Sequence, residues 1–178
     1  IHTRAEDGSI KIEKMSKSLG NVVTIRQFLS EHEADVLRLI VLSSYYRSPL
    51  LYGSEIVADQ ERKLARLRSA LEPAYGSTAS GSAVELLAGT VASVRASFAA
   101  AMDDDFNTAG AMAALFELVR AINTARDAGI GGEPFTTAQA VLRELAGVLG
   151  LTIAAPKAAA QEAAPFIELL IELRAELR

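Results

Sequence analysis

Residues 107–127 read NTAGAMAALFELVRAINTARD and give the clearest expectation for the fold. Asn107 or Thr108 can begin a helix, because a short polar side chain accepts a hydrogen bond from the free N–H groups of a first helical turn. The apolar positions at helical spacing predict one buried stripe, made of Ala111, Leu115, Leu118, Val119 and Ile122. We therefore expect a long core helix that ends at about residue 127.

Capping signals on either side of this helix extend the helical pattern to most of the chain. Four hydroxyl residues stand three positions before a Glu or Gln, which is the spacing of a capping box. These residues are Thr24, Ser30, Ser82 and Thr136. Ser54 can cap a further helix, and Pro165 suits the first turn of the last one. The expected helices span residues 25–29, 31–45, 54–75, 82–102, 107–127, 136–149 and 166–178.

Composition also favours a mainly α fold. Of the 178 residues, 50% are hydrophobic and 6% are aromatic, a balance that suits packed helices better than sheets. We expect an antiparallel helical bundle over residues 54–178, preceded by a smaller connecting segment over residues 1–53. Ile10-Lys11-Ile12 alternates like a strand, so the connecting segment can include a short β-hairpin.

Charge and cysteine content narrow the function classes. The net charge of −4 argues against a generally basic nucleic-acid-binding chain. Residues 1–30 nevertheless carry five Lys or Arg against three Asp or Glu, so a local basic face can still meet an RNA backbone. The absence of cysteine excludes disulfides and thiolate metal sites and suits a reducing compartment.

Neither a membrane span nor a targeting segment is expected. No apolar run reaches the length of a transmembrane helix. The first residues, Ile1-His2-Thr3-Arg4, are neither an initiator Met nor the start of a signal peptide. The last expected helix has no stop signal before residue 178. We therefore expect the chain to be part of a longer product.

The stretch Lys14-Met15-Ser16-Lys17-Ser18-Leu19-Gly20-Asn21, called the lysine loop below, concentrates phosphate-binding chemistry. Each lysine is a compact cation with three donors, and each serine adds a hydroxyl donor. Gly20 permits backbone conformations that other residues avoid. A mobile loop of this composition can close on a polyphosphate and offset the charge that develops when it is cleaved.

The lysine loop resembles KMSKS, the second signature of class I aminoacyl-tRNA synthetases, at every position. Ala34–Arg38, Tyr46–Leu50 and Met102–Ala109 follow in the order and spacing that are typical of cysteinyl-tRNA synthetases. The resemblance covers most of residues 11–125 and weakens after that. It implies the C-terminal part of such an enzyme, from the KMSKS loop through a helical DALR-type tRNA-binding domain.

The resemblance also implies roles for the polar residues of the lysine loop. Lys17 and Lys14 would be the catalytic residues, because both would offset charge on the triphosphate of ATP, bound with Mg²⁺, while the cysteine carboxylate attacks. Ser16 and Ser18 would complete the ATP-binding set by hydrogen bonding or by holding the shape of the loop. Met15 would pack as an apolar hinge.

No metal ligand is expected in this chain. In the family, Zn²⁺ holds the cysteine substrate through Cys, His and Glu ligands that lie upstream of KMSKS. We assign neither His2 nor His32 to a metal, and we expect His32 to be exposed in the first turn of helix 31–45. Asp103–Asp105 are expected to cap the following helix and to interact with its dipole, with a Mg²⁺ site as the alternative.

Three arginines are candidates for contact with RNA. Asp35, Arg38 and Arg47 belong to the stretches shared with the family, and we expect them to tie the lysine loop to the helical domain by ion pairs and hydrogen bonds. The alternative is direct contact of Arg26, Arg38 or Arg47 with the tRNA backbone.

The resemblance implies a cytoplasmic, monomeric cysteine–tRNA ligase as the full-length protein. Its partners would be ATP, L-cysteine and tRNA(Cys), and no membrane is involved. The 178-residue segment alone is expected to be inactive, because it lacks the nucleotide-binding fold. Two alternatives stay open: a cysteine ligase of mycothiol biosynthesis, which joins cysteine to an amino sugar, and a non-catalytic helical module that binds RNA or protein.

Overall fold

The computed structural model describes residues 2–4, 10–12, 14–74 and 82–153. The helix expected over residues 166–178 falls wholly outside this part of the chain. The elements are β1 (His2–Arg4), β2 (Ile10–Ile12), α1 (Ile25–Glu31), α2 (Ala34–Leu42), α3 (Ser54–Ser69), α4 (Ser82–Asp103), α5 (Thr108–Asp127) and α6 (Glu133–Val148). The fold is therefore mainly α, as expected. The two strands pair antiparallel with His2 opposite Ile12, which gives the short hairpin.

Helices α4, α5 and α6 form the body of the bundle. Short turns join them, so that successive helices run in opposite directions and pack side by side. The stripe predicted for α5 is confirmed, because all five of its residues are buried. Asn107 caps α5 as expected, since its side chain accepts a hydrogen bond from the N–H of Gly110 at 2.9 Å.

Helix α4 exposes more of its surface than α5. Contrary to the sequence expectation, it is long and apolar enough, by length and composition alone, to cross a membrane. It nevertheless packs against α5 and α6 and buries Leu87, Val94 and Phe98. Arg95 on α4 also pairs with Glu144 on α6 at 2.5 Å. These contacts make α4 an outer helix of the bundle.

Helix α3 ends at Ser69, earlier than the expected residue 75. Side chains from two other helices hold the carbonyl groups at and beyond its end. Arg126 of α5 donates to the Ser69 carbonyl, and Gln139 of α6 donates to the carbonyls of Ala70 and Glu72, each at 2.9 Å. These bonds replace the partners that another helical turn would supply.

The expected helix over residues 31–45 is wrong in its start. The helix is interrupted at His32 and Glu33, which have extended backbones, and α2 begins at Ala34. Ser30 does not cap a new helix, because its hydroxyl donates to the Gln27 carbonyl within α1. The Glu33 carboxylate instead pairs with Arg68 of α3, with contacts of 2.9 and 2.5 Å. The break therefore lets the two short helices each turn an apolar side inward.

Two further helix starts differ from expectation, whereas one is confirmed. Thr24 forms the full capping box with Gln27 at the start of α1. Helix α6 begins at Glu133 rather than after Thr136, whose hydroxyl contacts carbonyl groups of the preceding turn. Pro134 lies in the first turn, where its fixed φ suits a helix and its missing N–H has no cost. Ser54 is the first residue of α3, and the cap position before it is Gly53.

Candidate functional site

The lysine loop lies between the hairpin and α1 and contains a single 3-10 turn over Lys17–Leu19. Ser16 directly precedes this turn and accepts hydrogen bonds from it. Its carbonyl and its hydroxyl both accept from the Leu19 N–H, at 3.2 and 3.3 Å, and its hydroxyl lies 3.1 Å from that of Ser18. Lys14 and Ser18 are exposed. The loop thus exposes Lys14 and holds two serine hydroxyls within hydrogen-bonding distance of each other.

The side chain of Asn21 closes the lysine loop. Its Oδ1 accepts from the Ser16 N–H at 2.9 Å, and its Nδ2 donates to the Lys14 carbonyl at 3.3 Å. Gly20 makes this return possible with a φ of +65°, a left-handed conformation that side chains other than glycine rarely adopt. The backbone at both ends of the Lys14–Ser16 stretch is therefore fixed from within the loop.

An apolar groove of about 680 Å³ lies beside the lysine loop. Its lining includes Met15, Val23, Phe28, Leu50 and Tyr52, and Lys14 contributes to it. Several of these side chains are only partly covered: Leu50, for example, remains 49% exposed. The groove is thus a surface on which another apolar element can pack next to the lysine loop.

A cluster called the Asp105 clamp joins the segment after α2 to the turn between α4 and α5. The hydroxyls of Tyr45 and Tyr46 both donate to the Asp105 carboxylate, the second at 2.9 Å. Arg47 adds an ion pair at 3.2 Å and also donates to the Tyr46 hydroxyl at 2.8 Å. Asp105 and Phe106 both have left-handed backbones, with φ of 51° and 53°. The expected capping role of Asp105 is therefore wrong, since its carboxylate binds these three donors while Asn107 caps α5.

The clamp shifts the protonation of its members. The hydrogen bond to the Asp105 carboxylate raises the pKa of the Tyr45 phenol to about 12, because ionisation would place two negative charges together. In turn, the donors Tyr45, Tyr46 and Arg47 hold the pKa of Asp105 below its ordinary value. Asp105 is therefore a carboxylate, and Tyr45 a neutral donor, at physiological pH.

Asp35 forms a second tie, between α2 and the segment after α6. Its buried carboxylate accepts from the N–H of Thr152 at 3.2 Å, from the Thr152 hydroxyl at 2.8 Å and from the N–H of Ile153 at 3.0 Å. Arg38 adds an ion pair at 2.7 Å. Burial alone would raise the pKa of Asp35, but these hydrogen bonds outweigh it and the pKa lies below its ordinary value.

The structure gives the candidate residues different surroundings. Lys14, Ser16 and Ser18 share the lysine loop, and the backbone of Lys17 begins its 3-10 turn. Arg26 is exposed on α1. Arg38 binds Asp35, whereas Arg47 binds Asp105. Both of these ties lead to the bundle, and the contacts described for Asp35, Arg38 and Arg47 do not include the lysine loop.

His32 and the acidic residues offer no metal centre within residues 14–74 and 82–153. No group of three His, Asp or Glu side chains is placed there to hold an ion. The expected exposure of His32 in a first turn is wrong: it is half-buried at the C-terminal cap of α1, with its ring against Phe28 and its Nδ1 2.8 Å from Glu61. This side chain stabilises the junction of α1 with α3.

Comparisons with known proteins place these features in a family. Residues 5–62 match the model of the class I (C) tRNA synthetase catalytic domain, and residues 97–154 match the DALR domain. A cysteine–tRNA ligase of Dehalococcoides mccartyi is 44% identical over 97% of this chain. The chain belongs to the cysteine–tRNA ligase family. Ligases of Chromohalobacter salexigens and Pseudomonas aeruginosa are 41% and 39% identical over 100% and 96% of it.

The chain spans about a third of the length of these cysteine–tRNA ligases. It covers 36% of the Dehalococcoides protein and 37% of the Chromohalobacter protein. The first match includes the lysine loop and ends within α3, and the second begins within α4 and continues through Ile153. The Asp105 clamp therefore joins the two matched regions.

Sequence reasoning missed the clamp and the closing role of Asn21. Both stretches that form the clamp stood out as motifs, but 58 residues separate Arg47 from Asp105, and nothing in one sequence pairs them. Asn21 was visible as the last residue of the loop signature. Its donor and acceptor, placed after a glycine, were the available signal for a loop-closing side chain.

Proposed function

We propose that this chain is the lysine-loop and helical segment of a cysteine–tRNA ligase, which activates L-cysteine with ATP and transfers it to tRNA(Cys). The observation that carries the proposal is the intact lysine loop, with Lys14 exposed and the hydroxyls of Ser16 and Ser18 3.1 Å apart. The family membership supplies the reaction class. We also propose that residues 1–53 form the segment with the lysine loop and that residues 54–178 form the tRNA-binding bundle.

Lys14 and Lys17 would act by electrostatics. ATP, bound with Mg²⁺, would supply the polyphosphate on which the lysine loop closes. The loop offers ammonium and hydroxyl donors, which suit the oxygens of that group. Charge that builds on the phosphates during adenylate formation would be offset by Lys14 and Lys17, while Ser16 holds the turn that begins at Lys17. Zn²⁺ has no donor set in the described residues, so its proposed site belongs to another part of the enzyme.

The apolar groove supports a role for the rest of the longer protein. Groove residues such as Val23 and Leu50 lie beside the lysine loop and stay partly exposed in this segment. Packing of another apolar element there would bury them and place the loop against the remaining catalytic region. The segment without that region is accordingly proposed to be inactive.

Contact with tRNA is proposed for the exposed arginines. Arg26 is exposed on α1, and Arg38 and Arg47 remain 46% and 63% exposed although they pair with Asp35 and Asp105. Guanidinium groups bind phosphate oxygens well, and each can contribute to backbone binding without reading sequence. A mutated phosphate contact should weaken tRNA binding and reduce its salt dependence. We also propose that the longer enzyme is a cytoplasmic monomer.

The test is cysteine-dependent exchange of pyrophosphate into ATP, followed by charging of tRNA(Cys). The longer protein that carries this segment is expected to catalyse both, and the isolated 178-residue chain neither. Exchange without tRNA charging, together with ligation of cysteine to an amino sugar, would favour the mycothiol-pathway alternative. Absence of exchange in the longer protein would favour a non-catalytic helical module. Exchange by the isolated chain would contradict its proposed inactivity.

A further inference from the structure

The side chain of Asn21 makes the longest-spanning hydrogen bonds that the structure describes within the lysine loop. One bond spans five residues, from the Ser16 N–H to Oδ1, and the other spans seven, from Nδ2 to the Lys14 carbonyl. The other bonds described there link residues two or three apart around Ser16. Asn21 therefore closes the loop, whereas the serines shape the turn within it.

The chemistry of the two bonds requires an amide at position 21. Ser16 presents an N–H and needs an acceptor, whereas Lys14 presents a carbonyl and needs a donor. A neutral side-chain amide supplies both from one planar group. A carboxylate would keep the acceptor, lose the donor and bring a negative charge towards the Lys14 carbonyl. An alanine would lose both bonds.

We propose that Asn21 is a positioning residue for adenylate formation, because it fixes the backbone from which the Lys14 side chain leaves. This inference rests on the proposed function and deepens it. The partner that Lys14 would meet is a nucleoside triphosphate. Without the two bonds, the loop would have to become ordered during the reaction. The free-energy cost of that ordering lowers the rate of a step that depends on a well-placed charge.

The structural half of the proposal is tested on the 178-residue chain itself. Hydrogen exchange of the Ser16 amide is measured in the unchanged chain, in Asn21→Ala and in Asn21→Asp. We expect exchange to be about five- to tenfold faster in Asn21→Ala, the size expected for one lost hydrogen bond. Asn21→Asp should keep most of the protection, because an acceptor remains. Val22→Ala changes an exposed neighbour and keeps the Asn21 side chain, so its Ser16 amide should exchange at the same rate as in the unchanged chain.

The catalytic half is tested by pyrophosphate exchange in the longer enzyme that carries this segment. Both Asn21 variants are expected to lower kcat about tenfold, with smaller changes in the KM for ATP and for cysteine, because the lost positioning acts in the transition state. The thermal midpoint should not move, since Asn21 lies outside the core. Val22→Ala again serves as the control.

The outcomes separate this proposal from the proposed function. Unchanged exchange of the Ser16 amide in Asn21→Ala would overturn the loop-closing role, whatever the activity. Faster amide exchange with unaltered kcat, or a change confined to KM, would overturn the positioning role. An unchanged longer enzyme without any pyrophosphate exchange would instead overturn the proposed function, and the catalytic half of this proposal with it.

Discussion

Helix α5 and the lysine loop are held by opposite kinds of interaction. The buried stripe of α5 includes Leu115, Leu118 and Ile122, each with no exposed surface, so its order comes from the removal of apolar area from water. None of the described side chains of the lysine loop is fully buried, and its order comes from hydrogen bonds within eight residues. Burial fixes a scaffold, whereas a loop held by a few exposed polar bonds can open locally at a much lower free-energy cost.

The largest expected effect on stability comes from a substitution in the buried stripe of α5. Leu118→Ala should lower the free energy of unfolding by about 2–5 kcal/mol, because it removes buried methyl groups and leaves a cavity in α5. Urea denaturation measures this loss. The exposed neighbour gives the control: Glu117→Ala should change stability by less than about 0.5 kcal/mol. Equal effects of the two variants would mean that α5 is not the core helix.

The next effect tests the tie between α2 and the segment after α6. Asp35→Asn should cost about 2–3 kcal/mol, because a buried carboxylate loses charge-assisted bonds from Arg38, Thr152 and Ile153. Asp59→Asn, which removes a half-exposed pair with Lys63, should cost less than about 1 kcal/mol. Urea denaturation measures both variants.

The same tie predicts a pH dependence. The pKa of Asp35 is lowered in the folded chain, so its contribution is fully present above the ordinary pKa of about 3.9. It is lost as the pH falls through the lowered value. The difference in stability between the unchanged chain and Asp35→Asn should therefore shrink in this acid range. A difference that stays constant down to strongly acidic pH would contradict the pairing.

A smaller effect probes the boundary between loop and scaffold. Thr24→Ala should cost about 1 kcal/mol, because it removes the hydroxyl that accepts from the Gln27 N–H at the start of α1. Thr24→Ser keeps the hydroxyl and should retain most of the stability. Hydrogen exchange of the Gln27 amide reports the change locally. Protection that survives in Thr24→Ala would show that the cap does not order α1.

The smallest expected effect on stability concerns the exposed Asp105 clamp, where a spectroscopic readout is sharper. Asp105→Asn should return the pKa of the Tyr45 phenol from about 12 towards its ordinary value of about 10. Because folding favours the neutral phenol, the clamp's contribution is present below about pH 10 and is lost as the pH rises through about 12.

The ultraviolet absorbance of tyrosinate during alkaline titration measures this shift in the Asp105 clamp. Asp103→Asn removes a nearby carboxylate and leaves the clamp in place, so Tyr45 should titrate as in the unchanged chain. If Asp105→Asn and the unchanged chain titrate alike, the hydrogen bond from Tyr45 is not formed in solution.

The sequence predicted the helices well where burial and local capping act together. The α5 stripe and the caps at Thr24 and Asn107 depend on residues within one or two turns, so their patterns are visible locally. The break before α2 was missed because Glu33 pairs with Arg68, 35 positions away. The early end of α3 was missed for the same reason, since its carbonyl partners come from α5 and α6.

The candidate site divides in the same way. The lysine loop is contiguous, so its composition indicated phosphate-binding chemistry, and the resemblance to KMSKS then identified Lys14, Ser16, Lys17 and Ser18 as candidates. The Asp105 clamp depends on a turn with two left-handed residues that bring Asp105 to distant tyrosines. Three adjacent aspartates predict capping equally well, and only the folded backbone decides between the two roles.

The most direct test of the central claim is Lys17→Ala in the longer enzyme that carries this segment. If the lysine loop serves the phosphates of ATP, single-turnover adenylate formation should slow by about 10²–10³-fold, the typical cost of losing one donor to developing charge. Binding of tRNA(Cys), measured on the same preparation, should weaken far less. An equal loss in both, or an unchanged rate of adenylate formation, would contradict the account.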